Sequence, residues 1–207
     1  MELQANSELH VLDLDTKQWS VPAFMFPVHP AARSHTTLTP VFPEIYMKDP
    51  EADVFNTCFQ GYSKDVEFGF YMFGGKCSRG SALKDLWLLQ FTSKGCQWAQ
   101  LGESDGLLPR YSHTSTYIKG MLAIVGGRND NAPEPQVDQV ALFVVRRQKW
   151  ILPKILGDPV LGRWEHCADS SRSQLIIFGG QSNRSILASR LVFLETDQRA
   201  IQNEQCA

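Results

Sequence analysis

Histidine follows arginine by two or three residues at three places in the chain: Arg33-Ser34-His35, Arg110-Tyr111-Ser112-His113 and Arg163-Trp164-Glu165-His166. Three imidazoles brought together are a common ligand set for a transition metal. Each histidine, however, stands at the same place in its own segment, and a regular repeat spreads such residues around the molecule. We therefore predict neither a metal site nor a cofactor. We expect each histidine to tie its segment to a neighbouring one by hydrogen bonds.

The arginines of the same motif offer a second kind of chemistry, because a planar guanidinium group binds carboxylates and phosphates in a bidentate geometry. Further cations follow shortly after three glycine pairs. The motif and loop residues together predict a surface for an acidic or phosphorylated peptide, formed by Arg33, Arg79, Arg110, Arg128, Arg163, Trp164 and Arg184. The alternative is that the three motif arginines bridge adjacent segments and have a structural role.

Motifs for catalysis are missing from the sequence. No G-x-S-x-G, G-x-x-x-x-G-K-[ST] or G-x-G-x-x-G is present, so we predict that the protein is not an enzyme. The five cysteines form no C-x-x-C pair, and their odd number leaves at least one without an intrachain partner. Reduced thiols are typical of a reducing compartment, so we expect a cytoplasmic, intracellular protein.

Composition is that of a folded water-soluble protein. The chain has 207 residues, 43% of them apolar and 20% charged, with a formal net charge of −2. This balance argues against disorder and against a general polyanion-binding surface, so we expect no nucleic acid partner. No apolar run is long enough for a membrane span, and the first residues lack the features of a secretory signal.

A repeat of about 52 residues organises the chain. Apolar runs end in the pairs Gly74-Gly75, Gly126-Gly127 and Gly179-Gly180, which are spaced by 52 and 53 residues. Trp98 and Trp150 are likewise 52 residues apart, and Trp19 is the earlier member of the series. These tryptophans are expected to pack. An insertion of about 26 residues lengthens the first period between His35 and Gly74.

One period contains four strand signals and no long helical pattern. Residues 114–118, 121–125, 140–145 and 150–152 are apolar or β-branched runs separated by turns. Four short strands in each period are typical of one blade of a β-propeller.

With its glycine pairs, spaced tryptophans and Arg-x-(x)-His motifs, the sequence resembles the kelch-repeat family. The resemblance implies an all-β fold, a kelch-type β-propeller with four-stranded antiparallel blades. We letter the strands of a blade a to d outward from the ring axis. The expected division is a half-blade of strands c and d (1–32), blade 1 (33–109), blade 2 (110–162), an incomplete blade 3 (163–197) and a polar tail (198–207).

Three and a half blades are fewer than the four or more with which propellers close. We therefore expect a partial or incomplete ring. It could be a fragment, a short isoform, an arc completed by another chain, or a four-bladed ring closed by pairing the N-terminal hairpin with blade 3.

Residues 43–67 form the insertion, between strands a and b of blade 1. They carry six acidic and two basic residues. Long loops in a regular fold are commonly functional. The segment is either a docking site for a partner or an elaboration that packs on the propeller flank. Its aromatic candidates for partner binding are Tyr46, Phe55, Phe59 and Tyr62.

The resemblance implies a protein-interaction module that presents its b–c and d–a loops to a partner protein. In the family this role includes substrate receptors and scaffold or adaptor subunits of larger complexes. An alternative is a structural arc that another chain completes in a large assembly. A galactose-oxidase-like metalloenzyme is a further alternative, which would need tyrosine and histidine ligands from different blades.

Overall fold

Short strands joined by tight turns make up nearly all of the regular structure. The computed structural model describes residues 7–42, 68–92, 94–103, 106–132, 140–156, 162–183 and 191–195. Its strands are Val11–Leu12 (β1), Trp19–Ser20 (β2), Arg33–Ser34 (β3), Thr37–Val41 (β4), Gly69–Phe73 (β5), Lys76–Cys77 (β6), Asp85–Thr92 (β7), Gly95–Glu103 (β8), Thr114–Ile118 (β9), Met121–Val125 (β10), Val140–Val144 (β11), Lys149–Ile151 (β12), Cys167–Ser171 (β13), Gln174–Phe178 (β14) and Leu191–Glu195 (β15). In these ranges the only helical element is a 3-10 turn at Val145–Arg147.

The strands form consecutive antiparallel sheets. Blade 1 has the order β4-β5-β7-β8, blade 2 has β9-β10-β11-β12, and blade 3 has β13-β14-β15. Within each blade every strand pairs with the following strand of that blade, and the short strands β3 and β6 pair with each other. The prediction of an all-β fold with four-stranded antiparallel blades is confirmed. The first strand of blade 3 spans five residues, Cys167–Ser171.

Apolar side chains on both faces of blade 2 form two separate cores, because each face packs against a neighbouring blade. The first core joins Tyr71 and Phe73 of blade 1 to Leu122 and Phe143 of blade 2. The second core joins blade 2 to blade 3, with Ala123, Val125, Leu142, Leu175 and Ile177 as members. Because neighbouring blades cover both faces of β10, all five of its residues are buried. A strand that is buried on both faces is a continuous apolar run in the sequence.

The outer edge of blade 1 is partly covered by the chain that precedes the blade. The N–H of Met25 donates to the carbonyl of Cys96, and the N–H of Cys96 donates to the carbonyl of Ala23, both at 2.9 Å. An unpaired edge strand invites association with other chains. The linker therefore protects the start of β8.

The N-terminal hairpin differs from the sequence prediction. The half-blade was expected to contribute strands c and d within residues 1–32, but β1 and β2 contain only two residues each. A two-stranded hairpin has little stability of its own, so only its centre is regular. Trp19 was expected to pack like the other repeat tryptophans. That expectation is wrong, because Trp19 is 68% exposed.

Candidate functional site

Two of the three motif histidines connect neighbouring blades. His113 lies 3.0 Å through Nε2 from the hydroxyl of Thr37 in blade 1. His166 lies 2.8 Å through Nε2 from the hydroxyl of Thr114 in blade 2. Both imidazoles are buried, and their Nδ1 atoms have no hydrogen-bond partner. The two side chains therefore link neighbouring blades by hydrogen bonds.

Burial keeps these two imidazoles neutral. Desolvation, with repulsion from Arg110 next, lowers the pKa of His113 to about 3. Desolvation, with repulsion from Arg163, lowers the pKa of His166 to about 4. A neutral ring can share a single proton with a threonine hydroxyl without a buried charge.

His35 does not belong to this set. Its backbone is left-handed (φ 53°), as at Ser112 (φ 51°) and Glu165 (φ 54°), so these three residues are structurally equivalent. Thr36 then occupies the place of His113, and its hydroxyl donates to the carbonyl of Phe73 at 2.8 Å. The expectation that His35 sits at the same repeat position as the other two is wrong. The segments align without a gap, so the histidine of the first motif stands one position earlier than in the other two, and a threonine replaces the equivalent histidine.

The three motif arginines are buried inside their blades. Arg33, Arg110 and Arg163 each donate through Nη1 to the carbonyl of the first glycine of their own blade's pair, at 2.9, 3.2 and 3.0 Å. Arg33 also forms a bidentate pair with Asp85 at 2.7 and 2.9 Å. Burial lowers the pKa of Arg110 to about 10, which leaves it charged at neutral pH.

This placement corrects the view of Arg33, Arg110 and Arg163 as residues that meet a partner. Their guanidinium groups donate hydrogen bonds to the carbonyl of the first glycine of each pair, where the chain turns away from strand b. Without the arginine, that buried carbonyl would lose this hydrogen bond. A buried polar group without a partner is costly. The arginines therefore have a structural role, as in the alternative, but the hydrogen bonds named above lie within their own blades and not between adjacent ones.

The d–a corners and the b–c loops meet on one face of the molecule, which we call the loop face. Antiparallel pairing joins them in each blade, with Ser34 opposite Lys76, Tyr111 opposite Arg128 and Trp164 opposite Gln181. The corners also bond to each other, since Ser112 N–H donates to His35 and Glu165 N–H donates to Ser112, both at 3.0 Å. The loop face is thus a continuous backbone network across three blades.

Cations and aromatic rings alternate along the loop face. Lys76 Nζ lies 4.7 Å from the ring centre of Tyr111, and the Arg128 guanidinium lies 5.2 Å from the ring of Trp164. Asp130 joins the two halves, because it accepts hydrogen bonds from Lys76 at 3.2 Å, from Tyr111 and from Arg128. We call Lys76, Tyr111, Arg128, Asp130 and Trp164 the loop-face row.

The pKa values of the row follow from these contacts. The hydrogen bond from Tyr111, together with those from the two cations, lowers the pKa of Asp130 to about 2. The hydrogen bond with Asp130 raises the pKa of Lys76. Burial first, and then Asp130, raise the pKa of Tyr111. At neutral pH the row therefore carries two cations and one anion, with the phenol protonated.

Trp164 was considered as an exposed interaction aromatic, and the structure places it elsewhere. It is buried, and its ring makes a cation–π contact with the Arg128 guanidinium. Of the other predicted partner-binding residues, Arg79 is exposed and Arg128 is partly exposed. Arg184, Tyr46, Phe55, Phe59 and Tyr62 lie outside the described residues.

Lys76, Tyr111 and Asp130 were not chosen as site residues from the sequence. A signal was available for one of them, since Tyr111 and Trp164 are both aromatic at the position after the motif arginine. Trp98 and Trp150 are part-buried, and Trp150 packs on Phe73 and Phe143 at centroid distances of 5.2 and 5.1 Å.

Within the described part of the chain, no group of three or more His, Cys, Asp and Glu side chains is arranged to hold a metal ion. No helix there is long and apolar enough to cross a membrane. What the loop face offers chemically is charge and hydrogen bonding at the surface, supported by buried aromatic rings.

Repeated four-stranded antiparallel blades with buried arginines at the glycine pairs define this chain as part of a propeller-type repeat protein. Residues 63–206 match the family described as the KLHDC2/KLHL20/DRC7 Kelch-repeats domain, which covers most of the chain. The chain belongs to the kelch-repeat family.

Three curated relatives agree with this assignment. The Tip elongation aberrant protein 1 of Schizosaccharomyces pombe is 29% identical over 113 residues, 54% of this chain and 10% of the relative. Human Kelch-like protein 25 is 24% identical over 148 residues, 69% of this chain and 24% of the relative. The Host cell factor of Drosophila melanogaster is 26% identical over 213 residues, 92% of this chain and 12% of the relative.

A solved structure shows the same fold. The structure of YjhT superposes with a TM-score of 0.63 at 15% identity, and the match covers 93% of this chain and 50% of that one. The chain thus spans about half of YjhT and a quarter or less of the three curated relatives.

Proposed function

We propose that this chain is a non-enzymatic protein-binding module whose contact surface is the loop face. The kelch family typically serves protein interaction. The observation that carries the proposal for this chain is the loop-face row, in which Lys76 and Arg128 stand over aromatic rings and are oriented by Asp130. A role as substrate receptor, scaffold or adaptor subunit in the cytoplasm is consistent with such a module.

The partner segment that fits this surface is acidic or phosphorylated. Arg79 is exposed, and Lys76 and Arg128 keep about a third of their side chains in solvent. A carboxylate or phosphate from a partner can share these cations with Asp130, because guanidinium and ammonium groups retain free donors after one contact. The aromatic supports fix the positions of the two cations, which reduces the entropy lost on binding.

The test is a charge reversal with a matched control. The loop-face variant carries Lys76→Glu, Arg79→Glu and Arg128→Glu. The control carries Lys119→Glu, Arg147→Glu and Arg172→Glu, which are exposed residues at the opposite ends of the strands. Both variants change the net charge equally, so a general electrostatic effect would act on both.

Binding is measured by fluorescence anisotropy with acidic and phosphorylated peptides and their neutral counterparts as probes. We expect the wild-type chain and the control to bind the charged probes, with affinity falling as salt rises. The loop-face variant should lose binding by roughly tenfold or more. Equal losses in the two variants, or equal binding of charged and neutral probes, would contradict the proposal.

A further inference from the structure

Asp130 sets the distance between the two cations of the loop-face row. Its Oδ2 accepts a hydrogen bond from Lys76 Nζ at 3.2 Å, and its Oδ1 accepts one from Arg128 Nε. Each oxygen of one carboxylate thus contacts one cation, so the two cations stand a single carboxyl group apart. A carboxylate from another molecule can bridge the same pair, because an ammonium group has three donors and a guanidinium group has five.

Asp130 is held in place by its own loop and by Tyr111. The phenol of Tyr111 donates a hydrogen bond to Oδ2 of Asp130. The backbones of Tyr111 and Arg128 exchange two hydrogen bonds, at 2.9 and 3.0 Å. On the other side of Asp130, the side-chain oxygen of the buried Asn129 accepts a hydrogen bond from the N–H of Asn131 at 3.1 Å. An incoming anion therefore meets the Asp130 carboxylate and does not displace it.

The Asp130 carboxyl group is ionised at neutral pH and reaches the surface. The hydrogen bond from Tyr111, with those from Lys76 and Arg128, lowers its pKa to about 2. Its side chain is 34% exposed. The donors of an ammonium group diverge at the tetrahedral angle, so an anion oxygen bound to Lys76 would lie about 5 Å from Oδ2 of Asp130. Any anion at the cation pair is thus close to a fixed negative charge.

This fixed charge acts differently on the two kinds of acidic group. A phosphate monoester carries a charge of about −1.5 to −2 at neutral pH, whereas a carboxylate carries a single charge. At about 5 Å each further unit of negative charge lowers affinity roughly fourfold at the dielectric constant of water, and more at a protein surface. Lys76 and Arg128 attract a dianion more strongly, but Asp130 offsets one of their two charges. The dianion also loses more hydration on binding.

We propose that Asp130 makes the loop face selective for carboxylates over phosphate monoesters, so that the partner segment places an aspartate or glutamate side chain between Lys76 and Arg128. This inference rests on the proposed function. It narrows the class of partner from acidic or phosphorylated segments to segments that carry carboxylates. Arg79, which is exposed, attracts either kind of group and does not contribute to the choice.

Two peptides that differ at one residue test this inference. One carries glutamate and the other carries phosphoserine, and their affinities are measured by fluorescence anisotropy at neutral pH and low ionic strength, where charge effects are least screened. The wild-type chain should bind the glutamate peptide at least as tightly as the phosphoserine peptide. Asp130→Asn removes the charge with little change of shape. It should raise the affinity for the phosphoserine peptide, relative to the glutamate peptide, by roughly tenfold.

Two further variants control for charge and for shape. Asp169→Asn removes the same charge from an exposed position on β13, outside the loop-face row, and should change the ratio of the two affinities by less than about twofold. Asp130→Glu keeps a carboxylate and should keep the wild-type preference. The ratio within one variant is unaffected by a loss that weakens both peptides equally, such as a looser row. Circular dichroism checks that the variants are folded.

Three results would overturn the inference. A wild-type chain that prefers the phosphoserine peptide would show that Asp130 does not select against phosphate. An Asp130→Asn variant that binds both peptides equally more tightly would show that Asp130 only competes with any anion. An unchanged ratio in Asp130→Asn would show that the choice is made elsewhere. In all three cases the charge-reversed loop-face variant should still lose binding, so the proposed function would stand. If that variant bound both peptides as tightly as the wild-type chain, the proposed function and this inference would both be wrong.

Discussion

The carbonyl oxygen of Arg163 occupies the space next to Gly126 where any other residue would place its side chain. A Cβ built on Gly126 would lie 2.3 Å from that oxygen, and the backbone there is left-handed with φ +61°. Gly126 belongs to blade 2 and Arg163 to the corner before blade 3. The first glycine of the pair is therefore required by the neighbouring blade as well as by its own turn.

Gly126→Ala should consequently destabilise the protein by about 2–4 kcal/mol, since it adds backbone strain and a clash with backbone that cannot move freely. The control is Gly120→Ala, at φ +81° with nothing within 4 Å of the new Cβ. Strain alone should cost about 1 kcal/mol there. The free energy of unfolding is measured by urea denaturation. Equal losses in the two variants would show that the blade contact contributes nothing.

The buried pair of Arg33 and Asp85 gives a second prediction. Their side chains are only 4% and 18% exposed. Burial alone would raise the pKa of Asp85, but hydrogen bonds from Arg33 and Trp87 more than offset this, and the pKa is lowered. Asp85→Asn should cost about 3 kcal/mol or more, because it leaves the Arg33 charge buried without its anion.

Asp169→Asn is the matched control for that substitution, as Asp169 is exposed on β13. It should change the free energy of unfolding by less than about 0.5 kcal/mol. If urea titrations of the two variants gave the same midpoint, the carboxylate of Asp85 would not be stabilising the blade.

The buried imidazoles predict a loss of stability in mild acid. In the unfolded chain a histidine takes up a proton below about pH 6.5, whereas His113 and His166 remain neutral in the folded protein until about pH 3 and 4. The unfolded state therefore binds more protons, and stability falls as pH falls from about 6.5. Each imidazole should cost about 2 kcal/mol between pH 7 and pH 5.

His113→Gln keeps an amide that can reach Thr37 but cannot titrate, so it should reduce the pH dependence by about half. His35→Gln serves as control, since His35 is exposed. The measurement is the free energy of unfolding at several pH values from 7 to 5, above the usual range of carboxyl titration. If the free energy of unfolding of His113→Gln depended on pH as steeply as that of the wild-type protein, the assignment of His113 as a neutral link between blades would be contradicted.

Asp130 should determine the rigidity of the loop face. Asp130→Asn removes the anion that orients Lys76, Tyr111 and Arg128. Hydrogen exchange at the amides of residues 76–81 and 128–132 should become faster, because these loops lose a shared anchor. Exchange in β10 should not change. Global stability should fall by less than about 1 kcal/mol, since exposed ion pairs contribute little. Protection that stays the same in both loops would show that the backbone bridges alone hold them.

The sequence alone determined the blade plan of this protein. Glycine pairs, alternating apolar runs and turn residues are local signals, and each strand pairs with its neighbour in the chain. The register of β9 with β10 follows from a two-residue turn at Lys119-Gly120, which brings Ile118 opposite Met121. Such contacts span few residues, so local preference and tertiary structure agree.

Only the tertiary structure decided what the motif residues do. Arg110 is charged and reads as a surface residue, yet it is fully buried because the carbonyl of Gly126 needs a donor. His35 and His113 look alike in sequence, but His35 stands one position too early, and Thr36 occupies the place equivalent to His113. Trp19 and Trp150 share a repeat position and differ in burial because only Trp150 has a blade on that side. The environment of each of these residues is set by chain more than a dozen residues away, which local sequence cannot specify.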